Sequence, residues 1–439
     1  MDREVSRLIL YSDLKSDEIL VQLAAVCRDL REGTDKKDHL VHRVNLQIKR
    51  LLDLSTAMGF DRNLWQNYLT FLMISHENSF SLTCERVARQ EGSIRQFAIH
   101  DFAIFRTLLH WDFRPLEEEL GICGLSLLCD YSAIVKRDQL YNHRVSENVC
   151  SLSEKLDACT GAEEIYDLLT EHFHREGVGL LGLNTAFRVA EEAGRIELIP
   201  VNNLERVTLS HLIGYDTQKS ELRANVEAFL RGRPFNNMLL YGDAGTGKST
   251  SVKAALNEYA QEGLRMVELS KHQFHLLAPI ISLVKLRNYR FMIFLDDLSF
   301  EENEVEYKYL KAVIEGGLET RPENVMIVAT SNRRHLIREV WSDRSDMEKQ
   351  EDVHRSDTMQ EKLSLSARFG CSIAYAMPGH RLFQQIVLGL AARHPEIPLS
   401  ESELLLEAQR YEMRHGGESG RCAQQFMNQL LGRLEEEKP

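Results

Sequence analysis

Residues 237–256 read NMLLYGDAGTGKSTSVKAAL: a short apolar run, a loop of Gly242, Asp243, Ala244, Gly245, Thr246, Gly247, Lys248, Ser249 and Thr250, then helix-forming sequence. A strand, a glycine loop and a helix in immediate succession restrict the surrounding fold more than any other stretch of this chain. The loop fits G-x-x-x-x-G-K-[ST], in which backbone N–H groups curl around a polyphosphate. So tight a curl needs positive φ and close approach, which Gly242, Gly245 and Gly247 allow because they lack a Cβ. The following helix presents its positive end to the anion. Lys248 is then the residue to reach the β- and γ-phosphates, and the Ser249 hydroxyl is placed to ligate Mg²⁺. A lysine packed against apolar neighbours would contradict this reading.

A magnesium ion needs more than one hydroxyl, so a second buried strand must bring a carboxylate beside the nucleotide. The segment FMIFLDDLSFEEN, residues 291–303, supplies one: five apolar residues run into Asp296 and Asp297. Asp296 is expected to hold Mg²⁺ and Asp297 to orient or deprotonate the attacking water. Glu301 and Glu302 are rival bases, and they also read as carboxylates favoured by the dipole at a helix start.

Around these two strands, short apolar runs alternate with helical patterns at 238–241, 265–269, 291–295, 325–330 and 372–376, the mark of a parallel sheet wrapped by helices. The expected fold is α/β, a P-loop NTPase with a parallel five-stranded sheet, helices on both faces and a small helical lid. Residues 1–200 read as a mostly helical amino-terminal domain of unknown role, 201–378 as the P-loop core and 379–439 as the lid. In the amino-terminal part, Leu40, Val44, Ile48, Leu51 and Leu52 form one apolar stripe, and Ile165, Leu168, Leu169 and Phe173 another; both are expected to face their own core. The polar run 341–362 reads as an exposed excursion.

Composition narrows the function classes. Lys and Arg number 53 against 66 Asp and Glu, a formal charge of -13. Phosphate backbones are held by clustered cations, so a nucleic-acid coat is not favoured, and only a local basic patch, for example around Arg333 and Arg334, would support a DNA-linked ATPase. No run is long and apolar enough for a membrane span, and a cytoplasmic location is expected. The eight cysteines show no CxxC pair. His172 and His174 flank Phe173 without further ligands, and a surface helix is the expected reading. No GxSxG elbow or HExxH helix is present.

With the loop and the acidic strand placed, the carboxyl-terminal half resembles the AAA+ ATPases. LIGYD, with Gly214 and Tyr215, looks like their segment beside the adenine ring. MIVATSNRR puts Asn332 at the tip of a strand, like the polar sensor of the γ-phosphate or the water. SARFG puts Arg368 where an arginine finger reaches a neighbouring subunit's nucleotide, with Arg344 as a second candidate. GGESGRCAQQF puts Arg421 at the start of a lid helix, like the second sensor arginine. More narrowly, GYDTQK, YGDAGTGKS, FLDDLSFEE, KAVIEGGLE, ATSNRRHLI, EKLSLSARFG and ESGRCAQQF resemble the bacterial ATP-binding family catalogued as domain of unknown function 815, over about residues 165–436. The resemblance implies ATP and Mg²⁺ as cofactors, hydrolysis driving a change in an unidentified protein client, and a homo-oligomer. One departure is that most AAA+ members carry Glu where this chain has Asp297, one methylene shorter. Slow turnover or help from Glu302 is then expected, and the alternative reading is a nucleotide-gated adaptor or loader with negligible hydrolysis.

Overall fold

A computed structural model describes residues 1–87, 92–133, 142–192, 194–202, 204–300, 304, 306–315, 322–333, 336 and 365–436. Glu301, Glu302, Arg334, Arg344 and the 341–362 run lie outside the described residues. The chain divides into two compact units: Met1–Thr185 with Pro200–Leu204, and Ala186–Ile199 with Glu205–Pro439.

The first unit is helical around one core. Leu40, Val44 and Leu51 are buried in it, with Ile48 and Leu52 packed against it; Ile165, Leu169 and Phe173 are buried too, so both stripes face inward. His172 is buried rather than on a surface, and burial lowers its imidazole to about 4. No group of three or more metal-ligating side chains occurs among the described residues. Within the same residues, no helix is long and apolar enough to cross a membrane.

The second unit is built on a sheet of seven strands, not five. They are β1 (Ala186–Glu192), β2 (Arg195–Pro200), β3 (Met238–Gly242), β4 (Leu264–Leu269), β5 (Arg290–Leu295), β6 (Val325–Ser331) and β7 (Cys371–Tyr375), in the order β2-β1-β4-β5-β6-β3-β7. The five expected strands lie side by side and parallel, in the order β4-β5-β6-β3-β7. β5 and β6 are buried almost throughout, which is why they read as continuous apolar runs. β1 extends the sheet by pairing parallel with β4, Ala186 beside Met266. The sequence AFRVAEE hides this strand because its two final glutamates suit an exposed strand end as well as a helix.

Helices α1 (Asp216–Leu230), α2 (Lys248–Tyr259), α3 (Leu277–Val284) and α4 (Glu306–Glu315) accompany the sheet. After β7 come α5 (His380–Ala391), α6 (Glu401–His415) and α7 (Gly420–Glu436). These three close on a small core of their own, with Phe383, Val387, Leu404, Ala423 and Met427 at its centre.

The strand order positions the site. β3, which leads into the glycine loop, lies between β7 and β6, and β5, which leads into the acidic pair, is one strand further on. Neighbouring strands are about 4.8 Å apart. Whatever stands at the tip of β6 therefore falls between Lys248 and Asp297, and that residue is Asn332.

Candidate functional site

The loop after β3 carries three left-handed or otherwise glycine-only conformations, φ 132 at Gly242, 76 at Gly245 and 89 at Gly247. Gly242 has no alternative: a Cβ there would sit 2.0 Å from the Tyr375 carbonyl oxygen. We expect Gly242→Ala to lower unfolding stability by more than about 2 kcal/mol, since steric overlap adds to backbone strain. Gly263→Ala, at φ 90 with open space around it, is expected to cost only about 1 kcal/mol. Denaturant melts of the two variants check this, and equal losses would contradict the close approach.

Helix α2 begins at Lys248 with Gly247 as its cap and no side-chain cap hydrogen bond. Its first N–H groups are thus left for a ligand rather than a side chain. Lys248 is 6% exposed, yet its surroundings are polar: Nζ donates to Gly242 O at 2.9 Å, Asp243 O at 2.7 Å and Asn332 Oδ1 at 3.0 Å. Burial lowers the Lys248 ammonium from its ordinary value, against the pull of Asp243, Asp297 and Asp296. An anion seated on the loop would offset that burial cost.

Asn332 joins the two halves of the site. Its Oδ1 accepts from Lys248, and its Nδ2 donates to Asp297 Oδ1 at 2.7 Å. Ser249 Oγ donates to Asp296 Oδ1 at 2.6 Å. A hydroxyl and a carboxylate oxygen so close form the hard oxygen donor set that suits Mg²⁺. Thr330, which carries no motif of its own, donates to the same Asp296 oxygen at 2.5 Å and accepts from the Asp297 N–H at 2.9 Å. Its signal in the sequence is the pair of hydroxyls, Thr330 and Ser331, that ends an otherwise apolar strand, because a buried hydroxyl must find partners.

Other candidates fall into place unequally. The Asp243 N–H donates to Tyr375 O at 3.0 Å, its carbonyl accepts from Lys248 and Thr246, and its Oδ2 accepts from the Met377 N–H at 2.7 Å. Asp243 therefore braces the loop against the segment leading to the lid, and these groups are spent within the protein. Thr246 is buried by the same brace, whereas Ala244 is exposed. Thr250 follows Ser249 on the first turn of α2.

The LIGYD segment lies between loop and lid. Tyr215 takes φ 57, its hydroxyl donates to Ala376 O at 2.9 Å and its ring lies 5.2 Å from that of Tyr375. Burial pushes the Tyr215 phenol up to about 12. Leu212 abuts Gly247, Leu382 abuts Gly214, and Ile213 abuts Gly389. On the lid side, the Arg421 N–H donates to Gly245 O at 3.2 Å, and a Cβ on Gly245 would lie 3.0 Å from that of Arg421.

Arg368 is elsewhere. It precedes β7, whose Cys371 pairs with Met238 at the start of β3, while Tyr375 pairs with Gly242 at the loop. The register thus puts Arg368 at the edge of the sheet opposite the glycine loop. Arg333, exposed, follows Asn332 at the loop edge.

The family described as "Protein of unknown function (DUF815)" matches residues 183–434, more than half the chain. A curated relative, the replication factor C large subunit of Staphylothermus marinus, is 37% identical over 67 residues. That match spans 15% of this chain and 15% of the relative. Among solved structures, the Thermotoga maritima RuvB Holliday junction branch migration motor is similar at 15% identity and TM-score 0.32, over 50% of this chain and 71% of that one. A single-substitution form of the same motor gives 14% identity at the same TM-score and the same coverage.

Proposed function

We propose that this chain, which belongs to the DUF815 family and is an AAA+ P-loop protein, binds Mg·ATP between sheet and lid and hydrolyses its β–γ bond. The observation that carries the proposal is the Asn332 amide, bonded to Lys248 on one side and Asp297 on the other. One polar side chain thereby links the group suited to the γ-phosphate with the group suited to the water.

Roles follow from charge and position. Gly214, Tyr215 and their neighbours face the base, and the N–H groups from Gly245 to Thr250 wrap the phosphates. Lys248 and Arg421 neutralise the developing charge. Ser249 and Asp296 hold Mg²⁺, which screens the phosphate oxygens when bound. Asn332 orients a water whose oxygen forms a bond to the γ-phosphorus as the bond to the bridging oxygen breaks, releasing ADP and phosphate. Asp297 accepts the proton of that water.

The position of Arg368, at the far edge of the sheet, supports a role on a neighbouring subunit's nucleotide and hence a homo-oligomer. Specific activity is expected to rise with protein concentration, and Arg368→Ala to lower turnover by roughly 10³-fold. Mixing Arg368→Ala with Lys248→Ala should restore activity, since each supplies what the other lacks. A flat dilution series with no restoration on mixing would overturn the oligomeric site.

A second reading, a nucleotide-gated adaptor without turnover, draws support from Asp297, a short carboxylate already engaged by Asn332. Phosphate release by the wild-type protein decides between the two. Release above that of Lys248→Ala supports the ATPase, and equal background release supports the adaptor. The charge of -13 favours a protein client over nucleic acid, and cytoplasmic ATP is the expected substrate pool.

A further inference from the structure

We propose that Thr330 is a positioning residue for the acidic pair, its hydroxyl fixing the metal carboxylate of Asp296 and the backbone of Asp297 together; this rests on the ATPase reading above. Thr330 is 1% exposed on β6, a strand whose residues are all buried. Its hydroxyl gives its one proton to Asp296 Oδ1 at 2.5 Å and takes the Asp297 N–H at 2.9 Å. A hydroxyl has a single donor and spare lone pairs, so both capacities are in use and their direction is set.

The clamp matters because Asp297 takes φ 51. That region is costly for residues with a Cβ, although Asp tolerates it better than most. β6 holds the turn at further points: Leu298 N–H donates to Thr330 O at 2.7 Å, and Ser331 Oγ donates to Leu298 O at 2.6 Å. Asp297 is thus aimed by its backbone, which makes a shorter carboxylate serviceable. Its Oδ1 then receives the Asn332 amide. Without the Thr330 hydroxyl, the Asp297 N–H loses its acceptor and Asp296 loses one of its two hydroxyl donors.

The test uses the full chain with Thr330→Val, which keeps the branched shape and removes the hydroxyl, and Thr330→Ser, which keeps the hydroxyl and removes the methyl. Thr330→Val is expected to lose turnover by at least about 30-fold, and Mn²⁺ affinity beside a non-hydrolysable ATP analogue by about 10-fold, read by electron paramagnetic resonance. Metal-free affinity for the analogue should stay within about threefold, and Thr330→Ser should match wild type within about threefold in both measurements. A packing role predicts the reverse, with Val harmless and Ser impaired. Wild-type turnover with an unimpaired Val variant, or a Ser variant as poor as Val, overturns the proposal. If the wild type does not turn over, the ATPase reading fails, and Mn²⁺ affinity equal in wild type and Thr330→Val overturns the positioning role by itself.

Discussion

Lys248→Ala is expected to weaken ATP binding at least about 100-fold, comparable to losing a charged group from a desolvated, hydrogen-bonded pair. The effect should be this large because Lys248 is already buried and held at the loop, so it binds phosphate with little ordering cost. Wild type at ATP near 100 times its dissociation constant should gain about 2.7 kcal/mol of stability. Lys248→Ala should show no such gain at the same concentration. A thermal melt with and without nucleotide measures both, and an equal shift in the two proteins would remove Lys248 from the site.

Asp297→Asn separates binding from chemistry. The amide is nearly isosteric and still offers an oxygen to Asn332 Nδ2, so ATP affinity should stay within about threefold. It cannot accept a proton, and turnover should fall by roughly 10²–10⁴-fold, the usual contribution of a positioned base. Phosphate release under saturating Mg·ATP reads this directly. A variant that turns over like wild type would transfer the role to another carboxylate.

The candidate site is legible in the sequence as far as its signals are local. The glycine loop, the strand before Asp296 and the strand before Asn332 are each short runs in which residue type alone dictates conformation. What joined them was the strand order, and no local pattern states that β6 lies between β3 and β5. The linkage of Asn332 to both Lys248 and Asp297 therefore emerged only from the fold. Asp243 illustrates a different limit. Its place in the loop suggested a ligand contact, yet its carboxylate accepts from the Met377 N–H and braces the lid segment. Side-chain direction in a loop depends on tertiary neighbours.

The amino-terminal side shows the same division. Periodicity shows the helical stripes that the first unit buries, while β1 escapes because a short strand ending in two exposed glutamates carries little apolar alternation. Thr330 escapes too, since a hydroxyl in a buried strand does not reveal which partner it meets.

Isothermal titration of this chain with Mg·ATP reads nucleotide binding itself. Saturable heat with a single class of site is expected, weakened at least about 100-fold by Lys248→Ala and kept by Asp297→Asn. No saturation in the wild type, or equal heat from wild type and Lys248→Ala, would contradict it.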